Sequence, residues 1–315
     1  MSELSPSTHL QQPAATAPDP VRASLGSPRR ALLERARIGS GAGDPMLVAR
    51  FERLLEIVEG LGSCVLALSG GIDSSFLLAV ASPLLGERCL ALTAESAAVP
   101  AWDRADAALA AKDASRYGAG WRTIPTKEID DPRYARNPPS RCYFCKLEVY
   151  GAASAIARTE GYACVVDGTN ASDTQRHDRP GMTAASELGV RSPLAEAGIS
   201  KEQLRVLARS LGVAGWDRPA SACLASRIPF GELISPGRLR RVEAAELALR
   251  SLGFRQVRVR DFGSHARVEV EADELTDLEG RSAHVRARLA GLGFESWSPA
   301  AYAGNGAGDS PNEPG

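Results

Sequence analysis

Apolar residues recur at helical spacing from Pro45 to Gly60, where Leu47, Phe51, Leu54, Leu55 and Val58 fall on one face. The period then collapses into a continuous apolar run, Cys64-Val-Leu-Ala-Leu68, the pattern of a strand buried on both faces of a parallel sheet. A Gly-Gly turn follows, then a helix over Ser74–Leu85, a second apolar strand at Cys89–Leu92 and an Ala-rich helix over Arg104–Tyr117. Arg122–Pro125 and Ala163–Asp167 supply a third and a later strand. Strands alternating with helices predict an α/β fold on a doubly wound parallel sheet, with ligands received at the strand C-termini.

Beyond about residue 217 the pattern changes. Arg238–Leu252 reads as an amphipathic helix, and Gln256–Asp261 and Ala266–Glu271 as two alternating strands. Val257 and Val259 face one way while Arg258 and Arg260 face the other, and Gly263-Ser264 supplies the turn. Glu274–Gly280 and Ala283–Leu292 read as helices, and Phe294–Trp297 as a closing strand. The expectation is a sheet domain over 45–216 and a smaller α+β domain over 217–300. Residues 1–44 are rich in Pro, Ala, Ser and Gly without sustained periodicity, and 301–315 resemble them, so both ends are expected to be disordered.

Composition narrows the class. The 315 residues carry 37 Lys and Arg against 38 Asp and Glu, a formal net charge of −1. A nucleic-acid partner, whose affinity would rest on neutralising phosphates, is therefore not expected. No apolar run approaches the roughly 18 residues that span a bilayer, so a membrane partner is not expected either. The N-terminal segment lacks the basic start and apolar core of a secretion signal, which points to a cytoplasmic protein. Six cysteines in this length are too sparse for a disulfide scaffold and read as metal ligands or reactive thiols.

The heptad Ser69-Gly70-Gly71-Ile72-Asp73-Ser74-Ser75 stands between the first strand and the first helix of the sheet, where an α/β fold puts its phosphate site. Two glycines let the backbone turn tightly and approach a ligand closely. The free amides of the new helix then point at an anion, aided by its dipole. Ser69, Ser74 and Ser75 add hydroxyl donors, and Asp73 can hold the Mg²⁺ that accompanies a polyphosphate. The Gly-Lys-[Ser/Thr] ending of a Walker loop is missing, so γ-phosphate chemistry is not indicated. A lone Gly-Gly would be an ordinary serine-capped turn; the whole heptad in this setting argues for a nucleotide. Polar residues close two other strands: Thr93-Ala-Glu95-Ser96, and Asp167-Gly168-Thr-Asn170 with Asp173 behind it.

Arg141-Cys142-Tyr-Phe-Cys145-Lys146 sets two thiols at ligand spacing after Asn137-Pro-Pro-Ser140, a segment read as a loop. Three uses stay open: a zinc half-site, a redox dithiol, or part of an iron–sulfur site. Structural zinc wants four ligands, yet no second such pair exists and nothing in its spacing recommends His177. Cys223 supplies a third thiol, and three cysteines suit a cubane cluster with one iron open to an exogenous ligand. Cys64, Cys89 and Cys164 lie in or beside apolar strands and read as core. Ser226-Arg227 follows Cys223, and a neighbouring cation favours thiolate. Between 217 and 260 there are nine Arg, four acidic residues and no Lys, which suits phosphate or carboxylate recognition or a salt-bridged surface.

At its heptad the chain resembles the PP-loop ATP pyrophosphatase superfamily, of adenine nucleotide α-hydrolase-like fold, whose SGGxDS loop grips the pyrophosphate of ATP. That resemblance implies ATP at Ser69, Gly70, Gly71, Asp73, Ser74, Ser75, Thr93, Glu95, Gly168, Asn170, Asp173 and Arg191, with Mg²⁺ on Asp73. One branch is similar at more points: the ATP-dependent sulfur transferases (LarE type) of nickel-pincer cofactor synthesis. The matching pieces are SGGIDSS, NPPSRCYFCK, DGTNASD with HDRPG and RSPL (Arg191–Leu194), RPASACLASRIPFG, and RVEAAELALRSLGFRQVRVRDFGSHARVEV. Together they span about residues 45–297.

The resemblance implies adenylation of a carboxylate on a pyridinium dicarboxylate mononucleotide, with release of pyrophosphate, followed by attack of the Cys223 thiolate. Breaking the Cβ–S bond would leave a thiocarboxylate and dehydroalanine, with Glu246 a candidate base and Ser226, Arg227, Arg258 and Arg260 on the nucleotide phosphate. Cys142 and Cys145 beside Cys223 resemble the three-cysteine variant, which implies a [4Fe-4S] cluster and an exchangeable sulfide in place of a spent cysteine. A homo-oligomer is implied as well. The competing expectations are another PP-loop adenylating enzyme, either a tRNA thiolase or an amide synthetase, and a non-catalytic ATP-binding iron–sulfur sensor. No glutaminase segment or added RNA domain is visible for the first class.

Overall fold

A computed structural model describes residues 27–39, 44–175, 180–219 and 221–303. Residues 176–179, which include His177 and the first three residues of HDRPG, most of the N-terminal lead and the tail beyond 303 lie outside the described residues. Helix α1 (Pro28–Gly39) corrects the reading of 1–44 as wholly irregular. Leu32 and Ala36, one turn apart, are buried in the main core, and Arg29 pairs with Glu59 at 2.6 Å. Leu32 and Ala36, with Leu33 partly buried beside them, suffice because neighbouring helices cover them, and so few anchors leave little periodicity to read.

Helix α2 (Pro45–Gly60) forms as its spacing predicts, with Asp44 capping the amides of Met46 and Leu47 and Pro45 in the first turn. It leads to β1 (Cys64–Ala67), α3 (Ile72–Leu85), β2 (Cys89–Glu95), α4 (Ala101–Ser115), β3 (Gly120–Pro125), α5 (Arg141–Glu160) and β4 (Cys164–Val166). The four strands are parallel, in the order β3-β2-β1-β4. Alternation along them explains the continuous apolar runs. Cys64, Leu66, Cys89 and Ala91 enter the core beneath α2, α3 and α4, while Val65, Leu90, Leu92 and Val165 meet Ala153 and Ala157 of α5 on the other face. The chain steps from β1 outward to β3, then returns to the far side of β1 as β4. That reversal makes the β1/β4 junction the topological switch point, the crevice in which open α/β sheets receive ligands.

Helix α6 (Lys201–Ser210) closes the first core, and a second sheet follows. Its strands are β5 (Val257–Phe262), β6 (His265–Val270) and β7 (Ser296–Ala301), with β5–β6 antiparallel and β6–β7 parallel. Helices α7 (Pro236–Arg250) and α8 (Ser282–Ala290) pack on it. Val257 and Val259 enter its core as the alternation predicts. The closing strand starts two residues later than expected, because Phe294 is a buried anchor before it rather than part of it. A third core joins the two parts: Ala98 and Tyr134 from the first meet Leu224, Ile228, Leu239 and Val242 from the second. Among the described residues no helix is long and apolar enough to cross a membrane.

Two glycines set the spacing at the switch point. Gly70 has φ +81°, and a Cβ there would strike the carbonyl of Asp103 at the start of α4. A Cβ on Gly168 would stand 2.7 Å from the Ser74 amide nitrogen. Gly70→Ala is expected to lower the free energy of unfolding by about 1–3 kcal/mol through the strained φ alone, read by urea denaturation. Unchanged stability would contradict this close approach.

Candidate functional site

The heptad forms a turn from the end of β1 into α3. Its N-cap, Gly71, provides no side-chain cap, so the first-turn amides are left for a ligand. Within the turn the serines satisfy one another: Ser74 Oγ accepts from the Ser69 amide (3.2 Å) and lies 3.1 Å from Ser69 Oγ. Ser69 Oγ accepts from the Gly71 amide (3.3 Å). A cavity of about 280 Å³ is walled by Ser69, Gly70, Gly71, Asp73 and Ser75 of the turn and by Lys201 and Arg218.

Asp73 is the centre of a web reaching to the end of β4. Lys201 Nζ lies 2.6 Å from its Oδ2, and Asn170 Nδ2 donates to its Oδ1 (3.2 Å) and to Asp173 Oδ2 (2.8 Å). Lys201 was not anticipated as a site residue, although Ser200-x-x-Gln203 is a capping box that marks it as the first residue of a helix. For Mg²⁺, Asp73 offers one carboxylate whose charge Lys201 already neutralises; the remaining ligands would be phosphate oxygens and water. Asp167 is a second unanticipated hub. It accepts from Tyr150 Oη (2.6 Å), Thr169 Oγ1 (2.8 Å), the Thr169 amide (3.1 Å) and Ser192 Oγ (2.8 Å). Lys146, between Cys145 and this hub, is pushed up chiefly by the Tyr150 phenol, with Asp167 in support and burial opposing.

The other expected nucleotide contacts are placed less directly. Thr93 is buried and accepts from Trp121 Nε1 (3.1 Å), while Glu95 is exposed at the end of β2. Arg191 adds its backbone to the edge of β4, and its guanidinium turns onto Glu196 at 2.5 Å.

The paired thiols correct the loop reading. Cys142 and Cys145 are the second and fifth residues of α5, where Pro138-Pro139-Ser140 precedes a helix instead of prolonging a loop. Cys142 is exposed, and Cys145 and Cys223 are half-buried against the third core. Burial pushes the Cys145 thiol up to about 12, against the pull of Lys146. Among the described residues no three His, Cys, Asp or Glu side chains close on a single metal ion. As a donor set the three thiols still suit a cluster, whose iron corners are spread out and whose positive charge replaces the protons of buried thiols.

The Cys223 loop is tied to both sides. Two residues upstream, Ser221 Oγ donates to Asp103 Oδ2 (2.7 Å), and the Asp103 backbone lies against Gly70. Burial pushes the Asp103 carboxyl up, opposed by Ser221 and by Arg227, Arg250 and Arg218. Arg227 spends its fork on the protein: Nε and Nη2 on Glu246 (2.7 and 3.1 Å), Nη1 on Ala222 O, Cys223 O and Ser226 Oγ (2.7, 3.2 and 2.9 Å). Glu246 also accepts from the Val259 amide of β5 (3.1 Å). Arg227 and Glu246 therefore hold the loop in place, and anchoring suits this geometry better than phosphate contact or a base beside Cys223. Arg260 bonds Glu269 (3.0 Å) and Ser226 O (2.9 Å), and Arg258 stacks on Tyr302. Burial first, and then the neighbouring Arg227 and Arg260 charges, lower Arg258.

No protein-family model matches the chain. Over 248 residues it is 33% identical to the pyridinium-3,5-bisthiocarboxylic acid mononucleotide synthase of Lactiplantibacillus plantarum, covering 79% of this chain and 89% of that protein. It is 40% identical over 230 residues to an uncharacterized protein of Synechocystis, covering 73% and 84% of the two chains. A third relative, an uncharacterized protein of Methanocaldococcus jannaschii, is 29% identical over 231 residues, 73% of this chain and 86% of its own.

The Arg227–Glu246 pair is almost wholly buried, at 2% and 0% side-chain exposure. Arg227→Met is expected to cost about 3–5 kcal/mol in chemical denaturation, because it strands a buried carboxylate. The double variant Arg227→Met, Glu246→Leu should recover much of that loss, and equal losses in both would contradict an anchoring pair.

Proposed function

The chain belongs to the LarE-type family of sulfur transferases, and on that premise we propose that it converts a carboxylate of a pyridinium dicarboxylate mononucleotide to a thiocarboxylate at the expense of ATP. One observation supports the reading: a glycine turn without a side-chain cap stands at the switch point, Ser221 of the Cys223 loop bonds Asp103, and the Asp103 carbonyl lies against Gly70 of that turn.

In this scheme Ser69, Gly70, Gly71, Ser74, Ser75 and the first amides of α3 receive the polyphosphate, and Asp73 its Mg²⁺. Asn170, braced by Asp173, holds Asp73 in place, and Gly168 lies against the first turn of α3. Thr93, Glu95 and Arg191 lie further out as nucleotide contacts. The acceptor carboxylate attacks the α-phosphorus; the bond to pyrophosphate breaks, and an acyl adenylate forms. The Cys223 thiolate then attacks the acyl carbon and expels AMP. Loss of a Cα proton with cleavage of Cβ–S leaves thiocarboxylate on the substrate and dehydroalanine at 223. Ser226, Arg258 and Arg260 are the candidates for the nucleotide phosphate, and Arg227, held by Glu246, positions the loop that carries the sulfur.

The three-cysteine variant of the reading adds one group. Cys142, Cys145 and Cys223 would hold a [4Fe-4S] cluster, which when bound supplies an exchangeable sulfide and spares the cysteine's own sulfur.

Asp73→Asn is expected to reduce pyrophosphate release to background while the protein stays folded; near-normal release would contradict the nucleotide assignment. Anaerobic reconstitution should give a brown protein that loses iron in Cys142→Ala or Cys145→Ala. A colourless protein whose Cys223 becomes dehydroalanine after one turnover would select the sacrificial route instead.

A further inference from the structure

The three cysteines that the proposed chemistry does not use lie side by side in the first sheet. Cys64 opens β1, Cys89 opens β2 and Cys164 opens β4, at the end of the sheet opposite the heptad. Cys64 is paired in register with Cys89 on one side and with Cys164 on the other. Residues paired across parallel strands point to the same face, and all three meet the main core. The Cys64 and Cys89 sulfurs are 4.0 Å apart, and both residues are 0% exposed. Cys164 is only half-buried, and its Sγ donates to Ser63 O (3.6 Å), one residue before Cys64. The row therefore runs from the protein surface to its interior in three steps.

Packing alone would be served by any small apolar residue at these places. Sulfur on three adjacent strands adds chemistry. A metal site is not formed, since among the described residues no three such groups close on one ion. A disulfide is within reach. Adjacent strands stand about 4.8 Å apart, inside the roughly 4.4–6.8 Å between Cα atoms that a disulfide spans. The Cys64 and Cys89 sulfurs need to close by about 2 Å, a movement of side chains more than of strands. Burial keeps a soluble oxidant from this pair, so the electrons must leave through Cys164.

We propose that Cys64 and Cys89 form a disulfide-modification site, oxidised by a small-molecule disulfide that enters at Cys164. The Cys164 thiolate attacks one sulfur of the oxidant and expels a thiolate. Cys64 then attacks the Cys164 sulfur and expels the second. Cys89 attacks the Cys64 sulfur and returns Cys164 to a thiol. Two protein thiols lose two electrons and two protons, and the oxidant leaves as two thiols. Burial first, then the neighbouring Cys64, raises the Cys164 thiol to about 11, with Arg191 opposing and Glu196 adding to the rise. Thiolate is scarce at neutral pH, so the exchange is slow there and quickens as pH rises. The site is independent of the sulfur-transferase reading, which involves none of these three residues.

The test incubates the full chain anaerobically with glutathione disulfide at pH 8 and at pH 9. Samples are quenched in acid, alkylated under denaturing conditions and mapped by mass spectrometry. The expected course is glutathione on Cys164 first, then a Cys64–Cys89 link with Cys164 free, formed about tenfold faster at pH 9. Cys164→Ser should slow the link by about tenfold or more. Cys64 and Cys89 still present as thiols when Cys164 or Cys142 carries glutathione overturns the proposal, as does a link formed at an unchanged rate in Cys164→Ser. Links scattered over all six cysteines, the mark of unfolding, overturn it too. Should Cys164→Ser not fold, the order of events in the native chain decides: a Cys64–Cys89 link that precedes every adduct of Cys164 contradicts the relay.

Discussion

Everything at the site depends on how closely three stretches of backbone approach where β1 and β4 end. Gly70 sits under the Asp103 carbonyl, and Gly168 sits against the first turn of α3. Neither approach tolerates a Cβ. The helix begins with a glycine cap, so its amides are unspent, and its aspartate is fixed from the neighbouring strand end by Asn170 and from α6 by Lys201. An anion-binding turn of this kind acts through placement rather than through any one strong contact.

The second sheet holds the Cys223 loop. Its strand β5 supplies the Val259 amide to Glu246, Glu246 holds Arg227, and Arg227 grips the backbone on either side of Cys223. A buried ion pair is a poor source of net stability, but its directional bonds suit a loop that must present one atom. The same loop reaches the glycine turn, since Ser221 bonds Asp103 and the Asp103 carbonyl lies against Gly70.

Much of this was legible in the chain. The apolar runs of β1 and β2 could only be strands buried on both faces, and the heptad between β1 and α3 could be placed because strand and helix patterns flank it. The alternation of Val257 and Val259 with Arg258 and Arg260 gave the second sheet its inner face. What escaped notice depends on contacts distant in sequence. Helix α1 has two buried anchors among arginines and an exposed Ile38, so no window shows a clear period. Lys201 lies 128 residues from Asp73, and nothing local announces the pair. Arg227 reads as a phosphate ligand beside a cysteine until Glu246, nineteen residues on, is seen to occupy it. The cysteine pair opening α5 was misread because prolines end helices as often as they precede them.

The central claim is that an acceptor carboxylate oxygen attacks the α-phosphorus of ATP held at the heptad. Its most direct test uses a pyridinium dicarboxylate mononucleotide whose carboxylates carry the heavy isotope of oxygen, with the AMP formed in turnover analysed by mass spectrometry. The account predicts one heavy oxygen in each AMP, matched to each thiocarboxylate produced. Thiocarboxylate formed together with unlabelled AMP would contradict it.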